Sequence, residues 1–215
     1  ILIGDDEIEN WPDYVDVMAS SISDNGGRSC VNASAIIVPK YSKEIADALG
    51  KSLGPLKPLP VDDPAAVLSG FANPNMGELI DAALDADFEG CGASDATAPY
   101  RDGSRLVKAE GGTYLRPTIA HCESIDHPLA NREFLCPYAS VVEVPQSEML
   151  SSIGPTLVVT AITQDEGFKR DLLRASNVER LNIGPLSTMK ISWDQPHEGN
   201  MFEFLYKRRS IGVAA

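Results

Sequence analysis

The chain has 215 residues, 43% of them apolar, and carries 18 basic against 31 acidic side chains, a formal net charge of −13. That length and composition suit one large globular domain or two small ones with a packed core. The acidity argues against nucleic acid as a partner and leaves no basic patch for a membrane surface; no apolar run is long enough for a transmembrane helix.

Taken in chain order, Ile1 to Ile3 reads as a short buried strand already under way at the first residue, followed by an acidic loop with Asp5, Asp6, Glu7 and Glu9. The start at Ile1, without methionine, leads us to expect a piece of a longer protein, and so few cysteines in a chain of this length make the expected location cytoplasmic. From Pro12 to Ser23, Tyr14, Val15, Val17, Met18 and Ile22 recur at helical spacing, and Asp24-Asn25-Gly26-Gly27 ends that helix. The apolar run Ala35 to Val38, stopped by Pro39, is a strand. Tyr41 to Leu53 is a helix with Ser42 as its expected cap. Four prolines between Gly54 and Pro64 make a stiff connection. Asn75 to Asp85 is helical again, Cys91 to Ser104 is loop, and Arg105 to Lys108 is a short strand. Gly111-Gly112 turns the chain into Tyr114 to Ile119. Ser140 to Val144 and Leu157 to Thr163 are buried strands, Phe168 to Ala175 a helix, Arg180 to Ile183 a strand, and Phe202 to Arg209 a short helix or turn. The alternation gives the fold class: α/β, layered, with a largely parallel sheet flanked by helices.

Four cysteines, at 30, 91, 122 and 136, show no C-x-x-C pairing, and histidines at 121, 127 and 197 have no zinc spacing. Reduced thiols and no metal are expected. Cys30 stands beside a glycine turn, between a helix and a strand. There it is either a small buried apolar residue or a displayed, reactive thiol.

Asn25-Gly26-Gly27-Arg28-Ser29-Cys30, then Gly112-Thr113-Tyr114-Leu115-Arg116-Pro117-Thr118, Arg132-Glu133-Phe134-Leu135-Cys136-Pro137, Thr156-Leu157 and Arg180-Leu181-Asn182-Ile183 follow one another in this order. The series resembles the catalytic domain of the aldehyde dehydrogenase superfamily from about Ile1 to Asn182. The family's nucleophile segment reads Asn-x-Gly-Gln-x-Cys; here Arg28 replaces the glutamine. Its Glu-x-Phe-Gly-Pro motif appears as Glu133 to Pro137, with Leu135 in place of the phenylalanine that packs near the nicotinamide and Cys136 in place of glycine.

The resemblance implies that residues 1–215 are one catalytic domain with Cys30 as nucleophile. Glu133 and Leu135 would bind the cofactor, NAD or NADP, Glu133 through the ribose hydroxyls. It implies oxidation of an aldehyde through a cysteine thiohemiacetal and thioester, and a homo-oligomer when full length, into which the tail Ser210 to Val213 could run as a strand. The family's dinucleotide-binding domain, its asparagine oxyanion donor and its deacylating glutamate match nothing in the sequence, so the chain alone is expected to be inactive as a dehydrogenase. Asn182 falls where the family keeps a strand asparagine near the substrate, or is a strand-end turn residue. Trp193 and His197 line a substrate channel or simply pack. Cys91, Cys122 and Cys136 are expected to be structural, with Cys136 able to oxidise with Cys30 if the two approach. Three rivals remain open: an acylating enzyme that passes the thioester to coenzyme A, a thiol hydrolase with Cys30 and a histidine as a dyad, and a non-catalytic domain of the same fold.

Overall fold

The computed structural model describes residues 1–109, 112–192 and 197. The reading of Phe202 to Arg209, the tail Ser210 to Val213 and Trp193 lie outside the described residues. Nine strands and five helices run β1 (Leu2–Ile3), α1 (Val15–Ser23), β2 (Ala35–Val38), α2 (Ser42–Leu53), α3 (Pro74–Phe88), β3 (Ala93–Asp95), β4 (Leu106–Ala109), β5 (Gly112–Leu115), β6 (Thr118–Cys122), β7 (Tyr138–Glu143), α4 (Gln146–Ser152), β8 (Thr156–Ile162), α5 (Glu166–Arg174) and β9 (Val178–Ile183) among the described residues.

Seven strands form one sheet in the order β3-β6-β7-β2-β1-β8-β9. Every neighbouring pair is parallel except β3 with β6. A parallel sheet must be covered on both faces, and the sequence supplies apolar side chains to both by simple alternation. Ile3, Ile36, Val38, Ile119, Val141 and Ile162 point to one core, with Met18 and Ile22 of α1 and Ile45, Leu49 and Leu53 of α2. Their neighbours Leu2, Ile37, Ala120, Val142 and Ala161 point to the other, against Ile80 and Leu84 of α3, Met149 of α4, and Phe168 and Leu172 of α5. β4 and β5 form a separate antiparallel hairpin. At its start, buried Arg105 bonds Asp81 of α3 at 2.7 Å and also pairs with Asp85.

Several local readings shift. Pro12 lies in a 3-10 helix, Ile8–Tyr14, and the α-helix begins only at Val15. Ser42 is the first residue of α2 rather than its cap. Tyr41 holds the cap position at φ 67°, and Glu143, at the end of β7, accepts from the Ser42 backbone N–H and hydroxyl, both at 3.1 Å. An acceptor from a neighbouring strand thus does the capping that a local side chain would otherwise do. The loop expected from Cys91 to Ser104 contains edge strand β3 and a 3-10 turn, Ala98–Tyr100. The Tyr114 to Ile119 segment breaks at Arg116-Pro117, where β5 leaves the hairpin and β6 enters the main sheet.

Candidate active site

Cys30 is exposed, on the connection between α1 and β2. Its placement follows from the residues around it. The turn from Ser29 to Asn32 closes with the Asn32 N–H on the Ser29 carbonyl at 3.0 Å, leaving Cys30 at the second position. The Asn32 side chain accepts from the Ser29 N–H at 2.8 Å and donates to the carbonyls of Ser21 at 2.9 Å and Asp24 at 3.0 Å. One amide therefore ties the turn to the C-terminal end of α1. Asn25, Gly26 and Gly27 all have positive φ, 56°, 66° and 66°, the left-handed conformation that glycine and asparagine tolerate. Gly27 also has no room for a side chain: an added Cβ would stand 2.5 Å from the carbonyl carbon and 2.6 Å from the carbonyl oxygen of Cys136. The turn that carries Cys30 is thereby pressed directly onto the Cys136-Pro137 peptide.

That contact brings the two sequence motifs together. Glu133 is exposed, and one of its carboxylate oxygens accepts from the Ser34 hydroxyl at 3.4 Å, four residues past Cys30. Leu135 is 59% exposed, an apolar side chain facing solvent between the buried Cys136 and Phe134, whose ring stands edge-on to Tyr138 at 4.9 Å. Arg28 turns away from the cysteine. Its Nη2 donates to the Ser69 carbonyl at 2.9 Å, and its guanidinium lies over the Phe71 ring at 4.3 Å. The replacement of glutamine by Arg28 thus fastens the turn to the segment ahead of α3.

One further group faces the sulfur, and a second bears on it electrostatically. His197 places Nε2 2.9 Å from Cys30 Sγ. Arg180, on β9, is 4% exposed and donates to the carbonyls of Lys190 at 3.3 Å and Thr188, while its Nε is buried with no hydrogen-bond partner. Burial pushes the Arg180 pKa down, and the negative charge that Cys30 can carry acts in the opposite direction.

No protein-family model matches this chain, and no curated protein sequence matches it. Solved structures do. The lactaldehyde dehydrogenase of Escherichia coli superposes with a TM-score of 0.74 at 18% identity, over 92% of this chain and 40% of its own. The indole-3-acetaldehyde dehydrogenase of P. syringae, in complex with NAD+, gives 0.71 at 20% identity over 93% and 39%. The succinic semialdehyde dehydrogenase of Streptococcus pyogenes, with NADP+ as the cofactor, gives 0.69 at 18% identity over 89% and 41%. The fold is the aldehyde dehydrogenase fold. The chain spans about 40% of the length of these structures.

Within that fold the remaining sequence candidates separate. Cys136 and Cys122 are buried, and burial pushes their thiols up, to about 12 and about 11. Cys91 is exposed, so the expectation that it packs structurally is corrected. All four thiols are free. His121 lies 3.0 Å from the Ser42 hydroxyl, and His127 accepts from the Leu129 N–H at 3.2 Å, capping a 3-10 turn. Of the three histidines, His197 is the one at the cysteine. Asn182 lies inside β9, buried, and donates to the Thr160 hydroxyl at 3.0 Å; it is not at a strand end. The sequence reading missed Asn32, whose signal was a turn-forming amide two residues past the thiol. It also gave no role to Arg180, although that residue opens the Arg180 to Ile183 segment.

Among the described residues, no cluster of side chains could hold a metal ion, and no helix is long and apolar enough to cross a membrane. A cleft of about 430 Å³ is lined by Asp81, Asp95, Arg101 and Arg105, and one of about 570 Å³ lies beyond the carboxyl ends of β1 and β8. Neither includes Cys30, Glu133 or Leu135.

Proposed function

We propose that this chain is the cysteine-bearing catalytic part of an NAD(P)-dependent aldehyde dehydrogenase, working with a dinucleotide-binding lobe that lies outside it. The observation that carries this reading is the packing of Gly27 on the Cys136-Pro137 peptide, which sets the exposed thiol and the Glu133-Leu135 segment side by side in a fold shared with aldehyde dehydrogenases. Residues of the right chemistry are present for a nicotinamide dinucleotide. Glu133 is an exposed carboxylate able to accept from two ribose hydroxyls, and Leu135 is an exposed apolar surface for a ring face. A nicotinamide held by these residues would supply the hydride acceptor for oxidation of the cysteine adduct.

The chain's own residues account for the attack on the aldehyde and for the fixed position of the sulfur. The Cys30 sulfur attacks the aldehyde carbon, and the thiol proton leaves to a base. The rigid turn, fixed by Asn32 and Gly27, holds the sulfur in one position, so little orientational freedom is lost on attack. Water then cleaves the thioester and frees the thiol. Substrate and cofactor choice, a homo-oligomeric state and a cytoplasmic location belong to the same reading.

With a carbonyl-labelled ¹³C aldehyde, NMR should show a tetrahedral thiohemiacetal carbon in the native chain that disappears in Cys30→Ala and persists in Cys91→Ala. Mixed with aldehyde and NAD+ or NADP+, the 215-residue chain should not form reduced cofactor through repeated turnovers. Steady turnover by the chain alone, or an adduct that survives in Cys30→Ala, contradicts the reading.

A further inference from the structure

We propose that the cleft between α3, β3 and the 101–105 segment is a binding site for a small zwitterion, an α-amino acid with a short apolar side chain. The inference does not rest on the function proposed above.

The cleft holds about 430 Å³, within the range of small-molecule sites, about 300–1,000 Å³. Its charged groups are built into the fold. The Arg101 and Arg105 side chains are 8% and 7% exposed, and those of Asp95 and Asp81 13% and 21%. Asp95 accepts from Arg101 Nη2 at 2.6 Å and from the Thr97 N–H at 2.9 Å. Arg101 Nη1 donates to the Thr97 hydroxyl at 2.8 Å and to the Pro117 carbonyl at 3.1 Å. Arg105 Nε donates to Asp81 at 2.7 Å. A ligand entering the cleft meets an array that is already fixed, which lowers the ordering cost of binding.

Two donors in this array lack an acceptor. Arg101 Nε is buried with no hydrogen-bond partner. Arg105 Nη1 stands 3.8 Å from Asp95 Oδ2, beyond hydrogen-bond reach. A buried donor left empty is costly, and a carboxylate is the acceptor that best matches a guanidinium. A plain carboxylate would still be repelled, because Asp81, Asp85 and Asp95 outnumber the two arginines of the cleft. The ligand must therefore carry a positive charge as well. Asp85, whose side chain is 66% exposed, is the carboxylate open to receive it. The half-buried Phe88 and Ala93 line the same cleft and give an apolar wall for a short side chain. Carboxylate, ammonium and a small apolar group together describe an α-amino acid.

The test uses the ¹⁵N-labelled 215-residue chain and L-valine, read by amide chemical shifts in NMR. The shifts should saturate and cluster at residues 81–105. Isobutylamine, which lacks the carboxylate, and isovalerate, which lacks the ammonium, should each bind at least about 10-fold more weakly. Asp85→Asn, at an exposed position, should weaken valine binding about 5-fold. Ser94→Trp, which fills the cleft from the edge strand and leaves every ion pair in place, should abolish it. Both variants should keep the dispersed spectrum of a folded chain, and Cys30→Ala should bind valine as the native chain does. Native affinity in both cleft variants overturns the proposal, as does either one-headed analogue binding as tightly as valine. So does the lack of a saturable shift up to the solubility limit of valine, which would leave the two arginines as braces between α3 and β3.

Discussion

Gly27→Ala separates the packing at the site from the strain of its turn. The residue has φ +66°, and an alanine there pays the left-handed penalty, about 1–2 kcal/mol. Its methyl would also sit 2.5–2.6 Å from the carbonyl group of Cys136 and overlap the Pro137 nitrogen, all backbone atoms that cannot rotate away. Forcing such a contact apart costs about a further 1–3 kcal/mol. Gly103 is the internal control: its φ is +90°, and an added Cβ meets nothing within 4 Å. Gly103→Ala therefore carries strain without the clash. In urea unfolding, Gly27→Ala should lose about 2 kcal/mol more stability than Gly103→Ala, with an unchanged m-value. It should also change the alkylation rate of Cys30 several-fold, because the turn can relieve the overlap only by moving off the 133–137 segment. Equal stability losses for the two variants, together with a native Cys30 rate in Gly27→Ala, would refute the claim that this contact positions the thiol.

Other expectations concern the supports around the site. Asn32→Ala removes the hydrogen bonds that tie the cysteine turn to α1; about 2 kcal/mol of stability should go, and Cys30 labelling should become heterogeneous by mass spectrometry. Arg116 is 2% exposed and donates to the carbonyls of Gly54, Leu56 and Asp102. Arg116→Met should cost about 3 kcal/mol in thermal or urea unfolding, because three carbonyls lose their donor. Burial raises the Cys136 thiol to about 12 from an ordinary 9. Above pH 9 the unfolded thiol ionises while the folded one keeps its proton. The stability it contributes is therefore fully present below pH 9 and is lost as pH rises toward 12, by up to about 4 kcal/mol. Cys136→Ala should flatten that part of the stability–pH curve.

The sheet was legible in the sequence because its strands are short apolar runs with hard stops. Ala35 to Val38, ended by Pro39, is β2 residue for residue, and the parallel alternation of strand and helix followed from it. α4 was not legible. In Gln146–Ser152 only Met149 is buried, so there is no apolar stripe to read. β3 is Ala-Ser-Asp, an edge strand defined by its pairing to β6 rather than by composition. At the site, the thiol and the 133–137 segment were readable as motifs, but their contact through Gly27 was not. Arg28 could be seen only as a substitution; its stacking on Phe71 depends on a residue 43 positions away. The approach of His197 to Cys30 spans 167 positions, and no local pattern encodes a contact of that range.

The most direct measurement is competitive alkylation of the native chain with limiting iodoacetamide, followed by peptide mass spectrometry. Cys30 and Cys91 are both exposed, so accessibility alone would label them alike. With His197 and Arg180 acting on its sulfur, Cys30 should react at least about 10-fold faster than Cys91 at neutral pH. Equal rates at the two thiols would mean that Cys30 is an ordinary surface cysteine, and would contradict its role as the nucleophile.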